Sequence, residues 1–210
     1  MAYITMLCAS VFKKMRPEEF KSIWTSTGDT LSPLTESRLT GLNLKPKTIE
    51  FFTKSGLPVD AAPFLTFADN SADKYKGIIR LTDQFEFLEE EFKKWIVIGS
   101  CSDGDPIAIN VEREDQIDWL DHDNYFEPGF FNSSIEALAD CLVIYRQFIQ
   151  DIQRENGEGA YLNGDFSDIQ FESLKNKLLK ADSKALVDNG FWKEQLDMDL
   201  ALRDDNKKER

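Results

Sequence analysis

The chain has 210 residues, 41% of them apolar and 12% aromatic, which suffices for one packed domain and excludes a disordered chain. Its formal charge is −13, with 38 acidic residues against 25 basic ones. Binding along a nucleic-acid backbone needs clustered cations, so direct nucleic-acid contact is disfavoured, and the acidity serves either solubility alone or a basic protein partner.

Residues 1–14 are apolar but carry no basic n-region, and Leu7 stands before Cys8 where a lipoprotein cleavage site needs a small residue. The stretch reads as a buried first strand or helix rather than a signal. Pro17-Glu18-Glu19, followed by Phe20, Ile23 and Trp24, opens a helix that ends near Gly28. Gly28, Pro33, Gly41 and Pro46 mark a long connecting loop, and Lys47 to Ser55 forms a short helix closed by Gly56 and Pro58. Ala62 to Phe67 reads as a strand with its proline at the start, and Gly77 to Leu81 as a second strand. Gln84 to Trp95 is irregular or strand.

From Trp95 to about 120 lies the centre of the fold. Trp95–Ile98 is an apolar run, Gly99–Pro106 is rich in turn formers, and Ile107, Ile109 and Val111 alternate with other residues before a charged turn and Ile117 and Trp119. This pattern predicts an antiparallel meander with one face to cover. Asp121 to Phe131 reads as a loop. Ser133 with Glu136 is the signature of a capping box opening the longest helix, whose broad stripe of Ile135, Leu138, Leu142, Ile149 and Ile152 suits packing on a sheet. Helices over about 168–180 and 183–200 and a frayed polar tail over 201–210 complete the chain. The expected class is α+β: a single domain built on a mainly antiparallel β-sheet flanked by α-helices.

Candidate chemistry is sparse. His122 is the only histidine, flanked by Asp121 and Asp123, and no second histidine or HExxH motif supports a metal site. Gly99-Ser100-Cys101-Ser102-Asp103-Gly104 follows a strand but lacks the spacing and following helix of a nucleophile elbow, so it reads as a hairpin turn. Asp103 and Asp105 lack the calcium-loop pattern. Gly157-Glu158-Gly159 is no dinucleotide loop, and Glu89-Glu90-Glu91 reads as a solvated face. Cys8, Cys101 and Cys141 are odd in number and widely spaced, which predicts reduced thiols in a cytoplasmic protein. No apolar run is long enough to span a membrane.

Gly56-Leu57-Pro58 with Phe64-Leu65-Thr66-Phe67, Ile96-Val97-Ile98-Gly99, Asp105-Pro106-Ile107-Ala108-Ile109, Phe131-Asn132-Ser133-Ser134 and the late Phe191-Trp192-Lys193-Glu194-Gln195-Leu196 resemble, in that order, the SUKH superfamily of Smi/Knr-like immunity proteins, most of all its fourth subfamily. The similarity spans residues 41–200, leaving 1–40 as an N-terminal helix and extension. The resemblance implies an immunity protein that binds and neutralises a cognate toxin, often a nuclease or nucleic-acid deaminase, with no catalysis, metal or cofactor. It supplies no contact residues. On charge density alone, the candidate surface is Glu112, Glu114, Asp115, Asp118, Asp121 and Asp123, with Trp119 and Tyr125 as anchors. Two other readings remain open: a general regulatory scaffold, and a cysteine-dependent enzyme centred on Cys101 and His122.

Overall fold

In a computed structural model, which describes residues 14–208, the alternating stretch forms the middle of a seven-stranded antiparallel sheet. The first strand or helix expected before Lys14, and Cys8 with it, lie outside the described residues. The strands are β1 (Asp60–Ala61), β2 (Leu65–Phe67), β3 (Ile79–Arg80), β4 (Trp95–Ser100), β5 (Pro106–Asn110), β6 (Gln116–Asp121) and β7 (Glu127–Asn132). Their order is β1-β2-β4-β5-β6-β7, and β3 pairs the first half of β4 beside β2. The fold is α+β, as the sequence predicts. β7 falls where a loop is expected. Pro128 and Gly129 look like turn formers in sequence, but β7 is the last strand of the order, where a missing proline donor breaks no ladder.

The helices are α1 (Pro17–Thr25), α2 (Glu36–Leu39), α3 (Pro46–Lys54), α4 (Leu81–Gln84), α5 (Ile135–Asn156), α6 (Asp168–Ala181) and α7 (Phe191–Lys208). Ile96, Ile98, Ile107, Ile109, Ile117 and Phe131 project to one face, where Leu138, Leu142 and Tyr145 of α5 join them in the main core. Phe20 and Trp24 of α1 belong to that core, and Phe20 packs on Phe51 of α3 with ring centroids 5.6 Å apart. Arg146 of α5 reaches α1, donating to the Trp24 carbonyl at 2.9 Å and stacking 4.0 Å from the Trp24 ring. It thereby satisfies a carbonyl that the end of α1 leaves unpaired.

The opposite face is covered too, which the meander reading did not foresee. Trp95, Val97, Ala108 and Leu120 lie under Leu81, Leu88, Phe92 and Phe126 in a second apolar cluster. The cover runs from Leu81, expected as the end of a strand, through the stretch expected as irregular or strand: α4 occupies Leu81–Gln84 and a 3-10 turn Glu90–Lys94, so Phe85 and Phe87 do not alternate across a sheet. Phe85 packs on Phe126 at 4.8 Å, whereas Phe87 stays exposed.

Three boundaries differ from expectation. The cap of α5 is Ser134, whose hydroxyl accepts from the Ala137 amide at 3.3 Å. Ser133 is held away by Asp182, which accepts its amide at 2.7 Å and its hydroxyl at 2.8 Å. The last helix begins at Phe191 rather than 183 and continues to Lys208. The polar stretch from 201 is thus helical to that residue, because Arg203 is buried, bonds Asp168 at 2.7 Å and lies over the Phe166 ring. Pro63 stands in a cis turn between β1 and β2 rather than at the start of a strand. Among the described residues, no helix is long and apolar enough to cross a membrane.

Candidate partner-binding surface

The eight residues singled out by charge density do not share one surface. Glu114 and Asp115 both take positive φ in the turn between β5 and β6. That conformation turns the Asp115 carboxylate inward, where it accepts from the Lys45 amide at 2.8 Å and the Thr48 hydroxyl at 2.7 Å at the start of α3. Asp115 is 1% exposed and serves that helix terminus. Glu114 pairs with the Lys45 ammonium. Glu112 lies beside Arg80, Lys93 and Lys94, a mixed-charge neighbourhood rather than an acidic one.

Asp118 and Trp119 sit mid-strand on opposite faces of β6. Asp118 is 2% exposed under the cover of the second face and accepts from Gln116 at 2.7 Å and the Trp95 indole at 3.1 Å. Trp119 is half-buried against the main core, and its ring lies on Gly129, where an added Cβ would collide with the indole. Its N–H has no partner among the described residues. Neither is an exposed anchor.

Beyond β6, Asp121 accepts from the amides of Asp123 and Asn124 at 3.1 Å each, fixing a short 3-10 turn that displays Asp123 almost fully. Tyr125 is exposed, but its hydroxyl donates to Glu89 at 2.6 Å, which holds the phenol's pKa up and the carboxyl's down. This end is separated from Glu112 and Glu114 by the six-residue length of β6, roughly 20 Å at about 3.3 Å per residue.

At the Asp121 end the fold collects acids that charge counting along the chain did not group. The β4–β5 turn brings Asp103 and Asp105, and the first turn of α7 brings Glu194. Burial, then the nearby charges of Asp121, Asp197 and Asp105, push the Glu194 carboxyl up. Asp105 accepts from the His122 amide at 2.9 Å and contacts its Nδ1 at 2.6 Å, and this bond raises the imidazole's pKa. The cations here are already engaged, His122 with Asp105 and Lys193 with Asp197. The one sequence signal for Glu194 was its place in the late Phe191–Leu196 segment.

The same cluster bears on Cys101. Burial first, then Asp105, Asp103 and Glu194, push its thiol well above the ordinary range, which opposes the thiolate a nucleophile needs. His122 is committed to Asp105. Among the described residues, no group of three or more His, Cys, Asp or Glu side chains is placed to hold a metal ion.

The sheet is filled on both faces in an α+β domain, and Asp105, Asp121 and Glu194 come together at one end of it. A family model described as "SUKH-4 immunity protein" matches residues 25–198, and the chain belongs to that family. No curated protein and no solved structure matches it.

Proposed function

We propose that this immunity protein neutralises its cognate toxin by occlusion, placing the acidic end of the sheet over a basic substrate cleft. The observation that carries this reading is the convergence of Asp103, Asp105, Asp121, Asp123 and Glu194 from two strand turns and one helix start, where burial first and the nearby like charges after it raise the Glu194 carboxyl. Crowded carboxylates repel one another in the free protein, and a cationic partner relieves that repulsion. A toxin that cuts or deaminates nucleic acid carries such cations for its own substrate, so an acidic inhibitor gains association rate and selectivity from the same field. The contact surface is Asp121 and Asp123 with Asp103, Asp105 and Glu194. Asp115 and Asp118 support it from inside the fold, and Glu112 and Glu114 lie at the other end of β6.

The test is calorimetry against the toxin encoded beside this gene. Asp103→Lys, Asp123→Lys and Glu194→Lys combined should weaken binding at least about tenfold, because like-charge contacts cost several kcal/mol. Glu112→Lys should change it little. Unchanged affinity in the triple variant rejects this surface, and inhibition of a toxin that acts on no nucleic acid rejects the substrate class.

A further inference from the structure

A pocket of about 370 Å³ opens on the sheet face away from α5, within the size range of small-ligand sites. Its floor is apolar, made by Phe67, Ala68, Val97 and Pro106. Gly99 leaves that floor open, and a Cβ there would collide with the Thr66 carbonyl, so the pairing of β2 with β4 requires the glycine.

The rim is a loop, residues 69–77, held in one shape by its own polar groups. The Asp69 amide donates to the Lys76 carbonyl at 2.9 Å, and the Asp69 and Asp73 carboxylates accept from the amides of Ser71 and Tyr75 at 2.7 and 2.8 Å. Asn70 ties the loop to Thr35 and Pro33, and Arg38 bonds the Ser71 carbonyl. The loop therefore presents Lys74, Tyr75 and Lys76 at the pocket without the entropy cost of ordering its backbone on binding. Among the described residues, no ion pair of either lysine with a carboxylate is present, in a chain of charge −13; the Lys74 ammonium lies 5.4 Å from the Tyr75 ring centre. Gln84 also lines the pocket, beside Lys74, whose ammonium donates to the Gln84 carbonyl at 3.4 Å, and the buried side-chain oxygen of Gln84 has no hydrogen-bond partner. A buried acceptor without a donor is costly, and a ligand donor would relieve it.

We propose that this pocket binds a small organic anion whose planar body rests on the floor beside Tyr75, whose acidic group lies between Lys74 and Lys76, and whose N–H or O–H donates to Gln84. Two sources share that chemistry: a nucleoside monophosphate and an N-acylated aromatic amino acid. The site lies apart from the acidic end and does not depend on the toxin reading.

The full chain is titrated by calorimetry with the four ribonucleoside monophosphates, and separately with N-acetyl-tryptophan and N-acetyl-phenylalanine. Saturable binding by one series assigns the source, and binding by both supports the shared chemistry. Lys74→Ala with Lys76→Ala should weaken binding at least about tenfold with the melting temperature unchanged, since each removes a charge-assisted contact. Gln84→Leu should weaken binding while leaving the free protein as stable or more so, a combination that a merely structural glutamine would not give. Thr66→Trp, at an exposed position of the wall, should block the pocket. The proposal is overturned by no saturable binding in either series, by binding that survives the double lysine variant, or by inorganic phosphate binding as well as the nucleotides.

Discussion

Asp118 and Asp123 stand five residues apart and carry the same charge, yet the fold gives them opposite tasks. Asp118 is 2% exposed and holds the Trp95 indole and the Gln116 amide, whereas the Asp123 side chain is almost wholly in solvent. Asp118→Ala leaves buried donors without an acceptor and should cost about 2–4 kcal/mol, read as a lower denaturation midpoint. Asp123→Ala should stay within about 0.5 kcal/mol. Nothing in the residues Gln116-Ile117-Asp118-Trp119 marks the first aspartate as buried, because the cover over it comes from residues 81–94, a separate segment of chain. Asp140 gives a second expectation. Burial, with the charges of Glu19 and Glu136, pushes its carboxyl up to about 6 against the pull of the Met15 amide. The folded state therefore binds the proton more tightly than the unfolded chain, and stability falls as pH rises from about 4 to about 6. Asp140→Asn should flatten thermal stability across that window and raise it at pH 7. Since the group is only partly buried, screening leaves a gain on the order of 1 kcal/mol, or about 2–4 °C in melting temperature.

Elements were legible where a local pattern sufficed. Ile107 and Ile109 alternate because β5 is a strand, and the stripe from Ile135 to Ile152 follows from a helix lying on the sheet. Legibility failed where a distant partner decides. Ser133 with Glu136 has the spacing of a capping box, but Asp182, reached through α6, takes Ser133 and moves the cap to Ser134. The capping box that does form is Ser167 with Gln170. Ser134→Ala should therefore lower the unfolding free energy by about 1 kcal/mol through the lost cap. Ser133→Ala should act through the Asp182 contact, so its effect should vanish in an Asp182→Ala background while that of Ser134→Ala persists. Six unfolding free energies by urea denaturation decide it, and equal losses for Ser133→Ala in both backgrounds would return the cap to Ser133. β7 and the end of α7 were missed for the same physical reason: an edge position excuses Pro128, and Asp168 with the Phe166 ring recruits Arg203.

At the scale of the whole molecule, charge acts on folding and on binding in opposite directions. A chain of charge −13 repels itself when compact, Asp105, Asp121 and Glu194 among the groups that contribute, and dissolved salt weakens that repulsion within a Debye length of about 10 Å at 0.1 M. Raising sodium chloride from about 20 to about 300 mM should thus raise the melting temperature of the free protein. On the proposed docking of a basic toxin at the acidic end, the same screening removes the steering attraction, so affinity for the toxin should fall over the same range, chiefly through a slower association rate. Thermal melts and stopped-flow association across one salt series measure both. The apolar core is common to both experiments, so a core-dominated protein with an apolar docking face would show a flat association rate. Opposed slopes in the native protein, and a flattened association slope in the Asp103→Lys, Asp123→Lys, Glu194→Lys variant, would locate the field at the end of the sheet where β4–β5, β6–β7 and α7 converge.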